Sequence, residues 1–390
     1  MQASSSSLVR RLAQLFWELF RISLFVVGGG YAIIVVADDV FSKRGWTKEG
    51  ELVGQLPVFQ TVPGIIAAHV AVYVGSKVAG RIGAAVGVVA VALPSVVIFT
   101  LVSMGYDSLP LDNPWLLSAF SGLRAALAGV VAATVIRGWR KNVDSAFAYA
   151  VVVAAVAAIG FFGVAVLWVI LAAMVLGLAV PEIGASMRQS EGGGRPPRRF
   201  HSSWLPILLF LKYGALCFGG GFVLVPMYIQ DFVGPGAAWL QISSEEFANL
   251  MALTQMTPGP IGVNGATFFG YRLAGVPGAA AASAALLLPG SLVLYFVLRS
   301  LERFRESRVV RGIMRGARPA SVALMLCALW AFGSMCWWRT CAGGAPHFSL
   351  AAIAISSAVA FIMTKWRPNV MALIFLCALA QELVDFVLRG

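Results

Sequence analysis

Between Gln255 and Tyr271 a long apolar run is interrupted by Pro258, Gly259, Pro260, Gly262, Gly265 and Gly270. Proline removes an amide donor and glycine weakens helix, so this run is not expected to form an unbroken membrane helix. In hydrocarbon, irregular backbone is tolerated only where protein buries it or where it lines a cavity. The interruption predicts a broken helix, with Gln255, Thr257, Asn264 and Thr267 beside the break as candidate contacts for an ion or substrate.

The surroundings require a membrane. Hydrophobic residues make up 59% of the chain and charged residues only 12%, and apolar runs near the ~20 residues needed to span a bilayer recur from end to end. These runs do not alternate in polarity, which excludes a porin-type barrel. The fold class is an all-α polytopic membrane protein. The net charge of +12 comes from basic residues in loops between apolar runs, a pattern that reports orientation rather than nucleic-acid binding. Cys217, Cys327, Cys336, Cys341 and Cys377 form no CxxC pair, and His69, His201 and His347 are scattered. No metal, cofactor or enzymatic nucleophile–base pair is expected.

At the N-terminus, Leu8, Leu12, Leu15, Phe16 and Leu19 recur at helical spacing against Arg10, Arg11, Gln14, Glu18 and Arg21. This predicts an amphipathic lead-in at the interface, uncleaved, ahead of the first span. The stretch from Pro181 to Trp204 is rich in Gly, Pro and Arg and reads as a linker. It divides the chain into a first repeat at 1–180, a linker at 181–204 and a second repeat at 205–390, each with five to six hydrophobic segments.

The halves are related. Arg21 precedes the Gly28 triple glycine as Lys212 precedes that at Gly219, and Trp46 corresponds approximately to Trp239. An offset of 195 residues carries Gln60 to Gln255, Pro63 to Pro258, Gly64 to Gly259, Gly75 to Gly270, Gly80 to Gly275, Gly83 to Gly278 and Pro94 to Pro289. So many matched Gly and Pro positions establish an internal duplication. The loop from Gly105 to Pro114 carries acids and no Lys or Arg, whereas Arg299 to Arg318 carries seven arginines; the following loops reverse the bias. Equivalent loops thus face opposite sides, as in inverted repeats. Inversion needs an odd number of crossings per half, met if the two short runs closing each half form one re-entrant hairpin or one crossing. Six spans per half in parallel is the competing arrangement.

Several residues are candidates for chemistry. Gly28, Gly29 and Gly30, with Gly219, Gly220 and Gly221, either free backbone amides for an anion or let helices pack closely. The paired breaks at Gln60, Pro63 and Gly64, and at Gln255, Pro258 and Gly259, either build a midplane site or hold helices together. His69 stands where the second repeat has Asn264, as a substrate contact, a proton carrier or a helix–helix hydrogen bonder. Acidic residues cluster near predicted span edges, while Arg21, Lys77, Lys212 and Arg272 flank the breaks, either steering charge or snorkelling to the interface. Charge-assisted hydrogen bonds of ~1.5–3 kcal/mol each can offset desolvation of a bound ion. Donor-rich, acid-poor breaks favour an anion.

At these residues the chain resembles the chromate ion transporter family, in its two-domain form. The resemblance rests on Phe218–Gly221, Glu245-Glu246-Phe247, Gln255-x-Thr-Pro-Gly-Pro-Ile, Asn264-Gly-Ala-Thr-Phe, Gly270-Tyr and Pro289. It implies a multi-pass carrier of the inner membrane, exporting chromate with sulfate as analogue and driven by the proton motive force. The first repeat departs from the pattern, with Ile65 in place of the second proline and His69 in place of Asn. A channel, or a carrier for a different small anion, is the alternative. Expected partners are a small inorganic anion, the bilayer and a second copy in a homodimer, with no nucleic acid.

Overall fold

The computed structural model describes residues 2–25, 30–110, 113–179, 205–218, 221–234, 237, 239–299, 307–339, 347–366 and 370–389. The first repeat comprises α1 (Gln2–Phe25), α2 (Gly30–Lys43), α3 (Glu51–Gly54), α4 (Leu56–Thr61), α5 (Ile66–Tyr106), α6 (Pro114–Asn142), α7 (Ala146–Gly160) and α8 (Val166–Ala179). The second comprises α9 (Leu205–Leu216), a 3-10 turn (Gly221–Leu224), α10 (Val225–Phe232), α11 (Ser244–Met256), α12 (Ile261–Arg299), α13 (Arg308–Trp337), α14 (Leu350–Lys365) and α15 (Val370–Arg389). A two-residue ladder, Trp338–Arg339 against His347–Phe348, follows α13. Among the described residues α5, α6, α12 and α13 are long and apolar enough to cross a bilayer. The linker and Gly28, Gly29, Gly219 and Gly220 lie outside the described residues.

Helices α5 and α12 each fold back on themselves. Ala79 (φ −149°, ψ 29°) and Gly80 (φ 58°, ψ −137°) leave helical geometry, as do Ala274 (φ −152°, ψ 30°) and Gly275 (φ 62°, ψ −152°). Only glycine adopts the second conformation of each pair without strain. The result is a short arm, a turn and a long arm. Gly75 faces Gly83 and Gly270 faces Gly278, so closely that a side chain at any of the four would strike backbone carbonyl atoms. The long arms span roughly 39 Å at ~1.5 Å per residue, enough for the bilayer core, whereas the short arms do not.

The helices before each break turn the short arms into re-entrant hairpins. Phe59 of α4 packs against His69 and Tyr73 of the short arm, with ring centroids 6.3 and 5.7 Å apart, and Glu51 pairs with Lys77 beside the turn. In the second repeat Phe247 stacks on Phe269 at 6.1 Å and Glu246 pairs with Arg272 at 2.9 Å. Each chain segment enters from the side of its own turn, reaches Pro-Gly, and returns. Gly87 lies against Ala71 as Gly83 lies against Gly75.

The two repeats are inverted. Arg81, at the start of the α5 long arm, donates to Tyr295 near the end of α12 at 3.3 Å. Asp107, just past the end of α5, accepts from Arg272 at the close of the short arm of α12, at 2.7 and 3.2 Å. The equivalent long arms therefore run antiparallel. As a consequence the basic C-terminal end of α6 (Arg137, Arg140, Lys141) and the basic N-terminal end of α13 (Arg308, Arg311, Arg315, Arg318) come together. Gly138 lies near Val322 and Met325, a methyl on it standing 3.7 and 3.8 Å away.

Each repeat completes the other. Helices α7 and α8 pack on α13 of the second repeat, where Gly312 and Gly316 admit the backbone of Ala173 and Gly177. In return α14 and α15 pack on α6, where Gly129 and Gly122 face the carbonyls of Ser356 and Cys377. Small residues four apart allow such backbone approach in helices that gain little from apolar burial in lipid. The closing runs of each half are thus two helices, exchanged onto the partner repeat. The N-terminal expectation also changes. One helix, α1, contains both the amphipathic lead-in and the residues after it; Leu15, Leu19 and Ile22 are buried, and Ser23 donates to Val91 of α5 at 2.7 Å.

Inversion predicts opposite sidedness at the two hairpin turns. In a cysteine-free background, Arg81→Cys and Val276→Cys occupy equivalent exposed positions. A membrane-impermeant maleimide should label them from opposite faces of the membrane.

Candidate functional site

The two Pro-Gly tips sit on each other's repeat. Gly64 adopts φ 126° and Gly259 φ 102°, outside the range comfortable for other residues. A methyl at Gly64 would lie 2.8 Å from the Cα of Gly290, the residue after Pro289; one at Gly259 would overlap Ser95, the residue after Pro94. The offset of 195 maps one pair onto the other, so each tip is seated at the proline of the other long arm. Ile65 from the first tip reaches Gly262 of the second, where a methyl would meet its Cδ1 at 2.6 Å.

Loose backbone at the tips is tied down by the residues that distinguish the repeats. His69 Nδ1 lies 2.9 Å from the carbonyl of Phe59, and Asn264 Nδ2 donates at 3.2 Å to the equivalent carbonyl of Thr254. His69 Nε2 faces a second carbonyl, that of Pro63, at 3.2 Å. Both side chains are fully buried. Each bridges the helix before the break to the helix after it. The Oδ1 of Asn264 has no hydrogen-bond partner among the described residues and remains for another role.

The free backbone ends of a broken helix are also present. The N-cap of α5 is Ile65, which offers no side-chain acceptor, and α12 begins after Pro260, which has none to offer. Two uncapped helix N-termini thus point into the meeting place, each carrying partial positive charge. The amide of Gly64 donates to the carbonyl of Cys217 at 2.7 Å. Gly221 closes on the second tip, where a methyl would lie 2.9 Å from the Gly262 amide. Cys217 therefore touches the first tip and Gly221 the second, while Gly30 opens α2.

The remaining sequence candidates divide. Gln255 is buried with Nε2 unpartnered one turn before the second tip, whereas Gln60 accepts from Lys141 of α6 at 2.8 Å. Thr257 donates to the carbonyl of Leu253, which caps α11. Thr267 lies within 2.7 Å of Ser283 and joins the two arms of α12 rather than facing the tip. Ser95, unremarked in the sequence, is buried at the second tip with an unpartnered hydroxyl. Its only sequence signal is its place after Pro94, opposite Gly290 in the repeat.

Three of the four flanking cations meet carboxylates. Lys77 meets Glu51 at the mouth of the first hairpin, and Lys212 meets Asp231 at 3.2 Å. Arg272 Nη2 stands between Asp107 at 2.7 Å and Glu246 at 2.9 Å, and Arg124 of α6 meets Glu245 at 2.7 Å. The second mouth is thereby latched across repeats. Burial pushes the Glu246 carboxyl up, Arg272 opposes this and Asp107 adds to it. Arg21 is exposed on α1.

The seating of the tips makes a steric prediction. Gly259→Ala should lose stability through its positive φ and its overlap with Ser95, about 1–3 kcal/mol together. Adding Ser95→Gly, which copies the Gly64–Gly290 contact, should recover the steric part in a thermal unfolding series in detergent.

A family model described as chromate transporter matches residues 13–178 and again 204–381. The chromate transport protein of Cupriavidus metallidurans is 28% identical over 328 residues, covering 80% of each chain. The probable chromate transport protein of Synechococcus elongatus is 26% identical over 385 residues, 90% of this chain and 89% of that one. The uncharacterized transporter YwrA of Bacillus subtilis is 33% identical over 133 residues, 33% of this chain and 73% of its own. No solved structure matches. Matched twice by one family model, on the two halves whose broken helices meet, the chain belongs to the chromate transporter family.

Proposed function

We propose that this protein is a secondary carrier of the inner membrane that exports a tetrahedral oxyanion by alternating access. Chromate, the cargo in the names of its relatives, is the proposed substrate, sulfate its analogue and the proton motive force the drive. The observation that carries the reading is the meeting of two re-entrant tips with uncapped helix N-termini in the interior. Helix N-termini bind anions, and no carboxylate belongs to Val62–His69, Thr257–Asn264, Ser95 or Gly290. Gln255 Nε2 and the Ser95 hydroxyl add unclaimed buried donors. Opposed hairpins seated on the other repeat suit a rocking exchange of access between faces.

The basic ends of α6 and α13 mark the cytoplasmic face by the positive-inside rule. The turn of the first hairpin opens toward that same face, because the α5 long arm leaves it and α6 returns to it. His69 supports proton coupling at the first tip. A neutral imidazole donates one hydrogen bond, yet both ring nitrogens face carbonyl oxygens, so only the protonated ring satisfies both. Asn264 gives the second tip no such option.

Everted vesicles test this reading. A proton gradient should drive chromate accumulation that sulfate inhibits. Uptake indifferent to the gradient, accompanied by unitary currents in planar bilayers, would establish a channel instead. Asn264→Ala should cut transport at least about tenfold at unchanged membrane level, the scale of one ~1.5 kcal/mol hydrogen bond. His69→Asn should keep downhill exchange of labelled anion and lose gradient-driven accumulation.

A further inference from the structure

The mouth of the first hairpin contains a set of donors with a carboxylate already in it. Glu51 Oε1 accepts from Lys77 Nζ and from the Tyr73 hydroxyl, and Oε2 accepts from the Lys48 amide at 2.8 Å. Lys77 Nζ also lies 5.3 Å from the Tyr73 ring centroid. These groups line an open cavity of about 480 Å³ together with Glu49, Gly50 and Gln55. The carboxylate of Asp38 anchors the adjoining backbone, accepting from the amides of Gly50 and Leu52 at 2.8 Å each. An ammonium, a phenol and a backbone amide converging on one anionic group is a pattern that fits any compact oxyanion.

The second mouth lacks this arrangement. Phe268 replaces Tyr73 at the equivalent position, and Arg272 is shared by two carboxylates, one of them Asp107 from the other repeat. The first mouth combines three donors for a single carboxylate with an open cavity. It also faces the side assigned above as cytoplasmic, from which an exporter collects its cargo.

We propose that this cradle is an entry site for the oxyanion, and that the Glu51 carboxylate is a tethered surrogate which the arriving anion displaces from Lys77 and Tyr73. The proposal rests on the carrier reading above. Displacement rather than protonation is the required step. Although burial opposes the charged form, the Lys48 amide, Lys77 and Tyr73 hold the Glu51 carboxyl down to about 2, so it is ionised at any pH the cell meets. Released Glu51 remains beside the cavity and returns when the anion moves inward, which keeps Lys77 from remaining an uncompensated charge.

The test is the concentration dependence of chromate uptake into everted vesicles, with sulfate binding to purified protein as a second readout. Glu51→Gln weakens the surrogate and should lower KM about tenfold, the scale of one charge-assisted bond. Lys77→Met should raise KM by a similar factor, and sulfate affinity should move in parallel. A purely structural ion pair predicts impairment in both variants. KM unchanged or raised in Glu51→Gln overturns the proposal. If that variant fails to fold, Tyr73→Phe decides, since it removes one donor and keeps the Lys77–Glu51 pair: a raised KM supports the entry site and an unchanged KM refutes it. Wild-type vesicles that take up no oxyanion would refute the carrier reading itself, a separate result from a working carrier whose variants show no opposite shifts.

Discussion

The structure depends on how two stretches of irregular backbone are accommodated inside a membrane protein. A Pro-Gly break leaves amides and carbonyls without helical partners, and hydrocarbon supplies none. Here each break is buried against the proline of the opposite long arm, Gly64 against Gly290 and Gly259 against Ser95. A single polar side chain then ties the preceding helix to the following one, His69 to Phe59 and Asn264 to Thr254. Neither tip could be covered by its own repeat alone. That requirement explains why the repeats are pressed together through α5 and α12.

Exchange of the closing helices extends the same logic. Helices α7 and α8 complete α13, and α14 and α15 complete α6, through glycines that allow backbones to touch. A repeat in isolation would expose these polar backbone edges and the tip of its own hairpin. Functionally, the exchange leaves the two hairpins as the elements with cross-repeat contacts at their ends. One mouth is latched by Arg272, Asp107, Glu246, Arg124 and Glu245; the other holds its ion pair within the hairpin, beside an open cavity. The asymmetry lies in a few side chains on a symmetric scaffold: Tyr73 against Phe268, His69 against Asn264, Ser95 against Gly290.

Ionic groups at the mouths behave differently from those a sequence scan suggests. Lys77, Lys212 and Arg272 flank the breaks in the chain, and each meets a carboxylate in the fold. The acids that looked like span-edge residues supply those partners. Around the tips the polar groups are instead an amide, a hydroxyl, an imidazole and helix N-termini, with no carboxylate among them. This division keeps fixed charge at the membrane faces, where desolvation is cheap, and leaves the interior with dipoles that an anion can use.

Composition and the 195-residue offset determined the membrane class, the duplication and the two breaks, because proline and glycine act on local backbone wherever they stand. The opposed charge of equivalent loops already indicated inversion, since sidedness is written into Lys and Arg. Tertiary structure alone decided what each break leans on. Nothing in the chain order announces that Gly64 meets Gly290, that Ser95 is at the second tip, or that Thr267 serves Ser283 instead. Those contacts join residues far apart in sequence, and they exist only because two antiparallel copies cross at their prolines. The carboxylate in the first mouth was hidden for the same reason: Glu51 and Lys77 become neighbours only when the helix before the break folds back along the helix after it.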